Sequence, residues 1–124
     1  TGLRKEEIFK SEVMAGRLVV KDTKNGEPIH IVPIHPRIAS ACRRIPMSIT
    51  VNQFDHQWRK ARQAAGLKYR FHDLRHSAAS EMVNAGVDLF TVGKVLNHKS
   101  SQSTRRYAHL AMESLEKAIA KIGN

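Results

Sequence analysis

The sequence predicts an α+β domain, mainly helical, carrying one small antiparallel β-hairpin. Three observations predict it. Beyond residue 50, apolar side chains recur every three or four positions, the spacing of helices that bury one face. Between residues 17 and 34, the runs LVV and PIHIVPI flank DTKNGE. Within that turn, Asn25-Gly26 is the pair a type I′ hairpin favours, because both central residues need positive φ.

Taken in order, residues 3–10 are good helix formers but make a short stretch. The hairpin follows, with Lys24 opposite Glu27 at its tip. Pro28 and Pro33 cannot donate ladder hydrogen bonds, which predicts an edge or bulged position for the second strand. Pro36 suits a first helical position, and a short basic helix through RIASACRRI is expected after it. Thr50 is placed to cap the next helix, with Val51, Phe54, Trp58, Ala61 and Ala65 as its inner stripe and Gly66 as its stop. The run HDLRHSAASEMVNAG predicts a further helix burying Leu74, Ala78, Met82 and Ala85, ended by Gly86. Asp88 caps a helix whose Leu89, Val92 and Leu96 face inward. Last, Met112, Leu115, Ile119 and Ile122 form a narrow apolar seam on a C-terminal helix.

The 124 residues make one compact domain the expectation. Lys and Arg number 21 against 11 Asp and Glu, a net charge of +10. Such an excess on a short chain calls for a polyanionic partner, nucleic acid before an anionic membrane surface. Cys42 is the single cysteine, so neither an internal disulfide nor a thiolate metal cluster can form. No apolar run reaches the roughly 18 to 20 residues of a membrane span. The opening TGLRKEEIFK is charged, and no secretory leader is expected there. We expect a soluble, cytoplasmic protein. The absence of an initiator Met, with a start inside a helix-forming stretch, predicts a piece of a longer protein.

Several groups suit phosphodiester chemistry. Such a reaction needs a nucleophile, stabilisation of the non-bridging oxygens and a proton for the departing oxygen. His72 and Arg75 stand three apart on a predicted helix, and a guanidinium forks two N–H donors at a phosphate. His98 follows a predicted helix terminus, Lys24 sits on the hairpin tip, Arg4 lies near the start, and Tyr107 is one of two tyrosines. Each has a plainer reading. A tyrosine on a helix usually packs, and Arg4, Arg75, Arg105 and Arg106 could be solvated charges. His72 and His76, at i and i+4, could hold zinc with His98 or His109, although HDLRH lacks the glutamate of HExxH. His76 is read as a packing residue.

The order of these groups resembles the catalytic domain of tyrosine recombinases, the phage-integrase family. The H-x-x-R box reads His72, Asp73, Leu74, Arg75. The L-G-H box reads Leu96, Asn97, His98, and T-x-x-Y-x-H reads Thr104, Arg105, Arg106, Tyr107, Ala108, His109. TGLRKEEI resembles the first arginine box, placing its arginine at Arg4. LVVKDTKNGEPIHIVPI resembles the hairpin whose lysine falls on Lys24. The one departure is Asn97 where glycine is usual, and Asn tolerates left-handed φ better than other side chains.

The resemblance implies the family's helical catalytic-domain fold with a small antiparallel hairpin or sheet. Residues 1–124 would be part of that domain, without its N-terminal portion or the core-binding domain. It implies a DNA strand transferase, an integrase or site-specific recombinase, working through a 3′-phosphotyrosyl intermediate with neither metal nor other cofactor. Tyr107 would be the nucleophile, Arg4 and Arg75 the phosphate clamp, Lys24 the general acid, His98 a phosphate ligand and His72 an aid to proton transfer. Lys68, Arg70, Lys99, Arg105 and Arg106 would grip neighbouring phosphates. Double-stranded DNA would be the partner, with no membrane and no small-molecule substrate. The full-length protein would form a tetramer on DNA, in a bacterial or phage-encoded, nucleoid-associated setting. The C-terminal seam would fold back on its own domain or dock on a neighbour. Two other readings stand beside this one: a fragment that binds DNA without cutting it, and an enzyme like type IB topoisomerases.

Overall fold

A computed structural model describes residues 1–23 and 28–123. The chain opens with a short helix α1 (Lys5–Phe9), then three strands β1 (Ser11–Met14), β2 (Arg17–Lys21) and β3 (Ile29–Pro33). A 3-10 turn (Pro36–Ile38) leads into α2 (Ala39–Cys42). The rest is helical: α3 (Val51–Ala64), α4 (Asp73–Asn84), α5 (Leu89–Val95), α6 (Ser101–Arg105) and α7 (Ala108–Ile119).

The sheet is antiparallel in the order β1-β2-β3. Its β2–β3 pair is the expected hairpin, in the register Lys21↔Ile29 to Arg17↔Pro33. The proline-bearing β3 lies at the edge, as a strand lacking amide donors must. The tip itself, with Lys24 and the Asn25-Gly26 pair, falls outside the described residues. The third strand was not expected. Met14 pairs with Arg17, leaving Ala15 (φ 47°) and Gly16 (φ 71°) as a two-residue turn with both φ positive. That is the type I′ geometry, with alanine in a place where Asn or Asp is usual.

One face of this sheet makes the first apolar cluster. Leu18 and Val32, opposite each other, join Val20, Leu3 and Cys42, with Ile8, Ile34, Ile38 and Ile45 packed around them. An aromatic ladder then carries the packing to α3: Phe9, Phe54, Phe71 and Trp58 meet edge to face at centroid distances of 5.7, 5.1 and 5.3 Å. Thr50 caps α3 as expected, accepting from the Gln53 amide while Gln53 reaches back to the Thr50 amide. Gly66 ends it at φ 64°. Only the first half of the predicted stripe is covered, since Ala61 and Ala65 are exposed.

The second cluster is helical: Ala79, Val83, Val92, Leu96 and Tyr107. Asp88 caps α5 through the Thr91 amide at 2.9 Å, and Val92 and Leu96 are fully buried. For α4 the predicted face is wrong by one position. Its buried residues are Arg75, Ala79 and Val83, whereas Leu74 is 47% exposed. A cation at Arg75 hides that stripe from any count of apolar residues. The seam on α7 is also uncovered. Leu110 and Ala111 pack on the second cluster, but Met112, Leu115, Ile119 and Ile122 are all exposed. Among the described residues, no helix is long and apolar enough to cross a membrane.

Candidate active site

Arg75 lies where the two clusters meet. It is 4% exposed, and its guanidinium donates through Nη1 to the Gly2 carbonyl at 2.7 Å and through Nη2 to the Leu96 carbonyl. Gly2 can come this close only because it lacks a side chain. At φ 70°, a Cβ there would stand 2.5 Å from Leu96 Cδ2 and 3.2 Å from Ala78 Cβ. Burial, and then Arg4, draw the Arg75 pKa down to about 10, which leaves it protonated at neutral pH.

Glu7 organises the arginines. Its carboxylate accepts from the Arg4 side chain at 3.0 Å and the Arg4 amide at 2.7 Å, and stands 4.0 Å from Arg75 Nη1. Arg4 precedes the first turn of α1 and Glu7 closes that turn, so the pairing is local in sequence. A buried carboxylate between two guanidiniums offsets the repulsion that would otherwise part them.

Leu96, Asn97 and His98 terminate α5 in a Schellman motif. Asn97 adopts φ 53°, its amide donates to the Lys94 carbonyl at 3.1 Å, and the His98 amide donates to the Gly93 carbonyl at 2.9 Å. Asparagine thus fills the left-handed position that glycine more often takes. The turn aims His98 at Thr104, with Nδ1 2.7 Å from Oγ1. Gly93 admits this approach, since a Cβ there would lie 2.9 Å from the same Oγ1. Burial, followed by Arg75, Arg4 and Arg106, lowers the His98 pKa to about 4. The ring is therefore neutral at pH 7, with Nε2 not used by Thr104.

Tyr107 anchors its ring in the second cluster at 6% exposure, and its hydroxyl lies 2.6 Å from His76 Nδ1. Burial raises the Tyr107 pKa, against the opposing pull of Arg106 and Arg75. His76 therefore does more than pack the helix: it holds the phenol. His72 occupies the N-cap of α4 with helical dihedrals (φ −61°, ψ −25°), and the Arg75 amide donates to its carbonyl at 3.1 Å, so the two stand one turn apart as expected. Its ring stands edge to face with that of His76, centroids 5.2 Å apart. Burial, His76, Arg75, Arg4 and Arg70 all lower the His72 pKa. Among the described residues, no group of three or more His, Cys, Asp or Glu is placed to hold a metal ion. The zinc reading of His72 and His76 finds no third ligand there.

Beside this centre opens a cleft of about 460 Å³, whose lining includes Arg4, Lys5, Arg59, Arg62, Arg70 and His72. Asp55 neutralises Lys5 at 2.9 Å, and Asp73 pairs with the exposed Arg70 at 3.0 Å. Lys99 and Arg105 line a separate cleft with His98 and Thr104. The described residues thus bring Arg4, His72, Arg75, His98 and Tyr107 together, and Lys24 falls outside them. Sequence reasoning missed Glu7, His76, Arg59 and Arg62. A signal existed for both Glu7 and His76: Glu7 lies inside the first arginine box, and His76 directly follows the H-x-x-R box. Arg59 and Arg62 share a face of α3 that only the fold turns toward the centre.

The sequence model of the phage integrase family matches residues 46–114 of the 124. The chain belongs to the phage integrase family. The match covers the α3–α7 half, which carries His72, Arg75, His98 and Tyr107, while Arg4 lies before it. Within this family, the integrase of Salmonella phage P22 is 42% identical over 66 residues, spanning 52% of this chain and 17% of that protein. This integrase-family chain is thus similar to a small fraction of its curated relative's length. The solved catalytic domain of bacteriophage HP1 integrase superposes with a TM-score of 0.73 at 24% identity, covering 98% of this chain and 76% of that one. The XerH site-specific recombinase, solved in a post-cleavage complex with its palindromic difH substrate, gives 0.66 at 22% identity, covering 100% of this chain and 43% of XerH. Both likenesses are of fold.

Proposed function

We propose that this chain carries the catalytic centre of a site-specific DNA recombinase or integrase, which cuts and rejoins DNA through a 3′-phosphotyrosyl intermediate. The observation that carries the reading is a phenol hydroxyl held on a histidine beside a cluster of cations drawn from both halves of the domain. Family membership and the net charge of +10 support it. So does the named substrate complex of XerH.

In this reading the Tyr107 oxygen attacks phosphorus and displaces the 5′ oxygen. Arg4 and Arg75 face the non-bridging oxygens, held in place by Glu7 and the Gly2 and Leu96 carbonyls before DNA arrives. Preorganised donors of this type are worth about 10² to 10³ each in rate. His98, neutral and fixed by Thr104, offers an Nε2–H donor when the Thr104 hydroxyl donates to Nδ1. Lys24 is assigned the role of acid for the departing oxygen, and His72, at the rim of the cleft, assists proton movement. One ester replaces another, so the reaction is reversible and draws on no external energy source.

Residues 1–124 are read as part of the catalytic domain of a longer protein, supported by the 98% and 76% coverages against the HP1 integrase domain. The uncovered seam of Met112, Leu115, Ile119 and Ile122 is assigned to contact with a second copy on DNA, where burial would remove it from water.

A pool of nicked duplexes with randomised sequence tests the function. The intact protein is mixed with the pool, denatured in SDS, and any DNA that stays attached is sequenced. We expect an adduct whose proteolysis maps DNA to the Tyr107 peptide, and none with Tyr107→Phe. No adduct from the wild-type protein, or one that survives Tyr107→Phe, overturns the reading.

A further inference from the structure

Three histidines belong to the candidate centre, and they are not equivalent. His98 spends its Nδ1 on Thr104, 2.7 Å away. His72 is exposed at the N-cap of α4, and its ring stands against that of His76. His76 alone among the described residues places a ring nitrogen on the Tyr107 hydroxyl, at 2.6 Å. That distance is within reach of direct proton transfer between a nucleophile and its base.

The geometry is also fixed from both sides. The Tyr107 ring packs in the cluster of Ala79, Val83, Val92 and Leu96, and its hydroxyl meets His76 Nδ1 at 2.6 Å. His76 belongs to the same helix as Arg75 and follows it directly, so the helix that anchors the clamp also sets the imidazole. The His72 ring, 5.2 Å away at 82°, closes its other side.

We propose that His76 is the catalytic base for Tyr107: its Nδ1 takes the phenol proton as the Tyr107 oxygen bonds to phosphorus, and gives it back when the strand rejoins. The inference rests on the recombinase reading above and names the group that accepts the phenol proton, a step in which that reading gives His72 only an assisting part. In cleavage the Tyr107 O–P bond forms and the P–O5′ bond breaks. The phenol proton goes to His76, and a separate acid, Lys24 in that reading, protonates the 5′ oxygen. Rejoining reverses each transfer, so no oxidant, metal or other reactant enters the balance.

The phenol needs such an acceptor. Its burial makes it a weaker acid than a free tyrosine, and the nearby cations Arg75 and Arg106 only partly offset this. The groups acting on the pair are His72, Asp73 and Arg75 of α4, His98 from the end of α5, and Arg106 from the turn before α7, with Arg4 one step further out beside Arg75. The imidazolium formed in the step would stand among these cations. The phosphate, which gains negative charge in the same step, offsets it.

Asparagine at position 76 keeps a hydrogen-bond acceptor near the place of Nδ1 but cannot take the proton. With the intact protein and a nicked duplex recovered from the pool, His76→Asn should bind DNA with unchanged Kd. It should form the adduct about 10² to 10⁴ times more slowly at pH 7 in single turnover. Its rate should climb with pH toward the tyrosine range, while the wild-type rate rises less. Thermal unfolding of each protein checks the fold, and His76→Gln gives the same comparison if His76→Asn does not fold. A rate within about threefold of wild type, or a slow rate with the wild-type pH profile, overturns the proposal and leaves His76 a structural contact. Wild-type protein that forms no adduct refutes the recombinase reading itself, a separate outcome from either.

Discussion

The two apolar clusters of this domain are built on different rules. The first, Leu3, Leu18, Val20, Val32 and Cys42, closes one face of a sheet with side chains that carry no strong polar group. The second, Ala79, Val83, Val92, Leu96 and Tyr107, admits a phenol and lies against the buried Arg75. The difference teaches where function resides. The sheet cluster fixes Leu3, and through it the neighbouring Gly2 and Arg4. The helical cluster fixes Tyr107 and the Leu96–His98 turn. Arg75 bonds to a carbonyl from each side, so one guanidinium is both a candidate phosphate ligand and the tie between the clusters.

The sharpest way to break this comparison is at Arg75. Arg75→Lys keeps the charge but not the fork, and should slow adduct formation at least 10²-fold. Arg75→Ala should also lower unfolding free energy by about 1–3 kcal/mol for each carbonyl left without a donor. Single-turnover adduct formation reads the first effect, and urea unfolding followed by far-UV circular dichroism and Trp58 fluorescence reads the second. Unchanged stability would mean that the clusters do not depend on the tie.

A smaller effect separates two glycines that share a backbone region. Gly2 (φ 70°) faces Leu96 at 2.5 Å from its would-be Cβ, whereas Gly66 (φ 64°) has open space. Gly66→Ala should cost only the left-handed strain of alanine, about 1 kcal/mol. Gly2→Ala should cost that plus overpacking of about 1–3 kcal/mol. Equal shifts in urea midpoint would show that Gly2 does not seat the N-terminal segment on Leu96.

The smallest expected change is a gain. Asn97 holds φ 53° in the cap of α5. Asn97→Gly should stabilise the domain by a few tenths of a kcal/mol, seen as a small rise in Tm. A loss would mean that the asparagine side chain contributes more to that turn than its backbone strain costs.

Much of this was legible in the sequence. Thr50, Asp88 and Gly66 mark helix ends through short-range bonding, and the structure places all three as caps or stops. The β2–β3 hairpin followed from its apolar runs around Asn25-Gly26, and the edge position of β3 from its prolines. Ala15-Gly16 carried too weak a turn signal for β1 to be foreseen, because alanine seldom adopts positive φ. The α4 face was misjudged because its first buried residue is an arginine, and hydrophobic periodicity does not register a cation buried on carbonyls. The i and i+4 spacing of His72 and His76 says nothing about a tyrosine 31 residues later, so the contact of His76 with the phenol is not legible in the sequence.

The sequence by itself determined the ends of α3 and the start of α5, the β2–β3 hairpin, the charge and which candidate groups the chain carries. These depend on bonds and preferences within a few residues along the chain. Tertiary structure alone decided that Arg75 is buried between Gly2 and Leu96, that His76 and not His72 meets the phenol, and that the α7 seam stays in water. Those outcomes depend on which surfaces exclude water together. That is settled by packing between elements tens of residues apart, which no local pattern encodes.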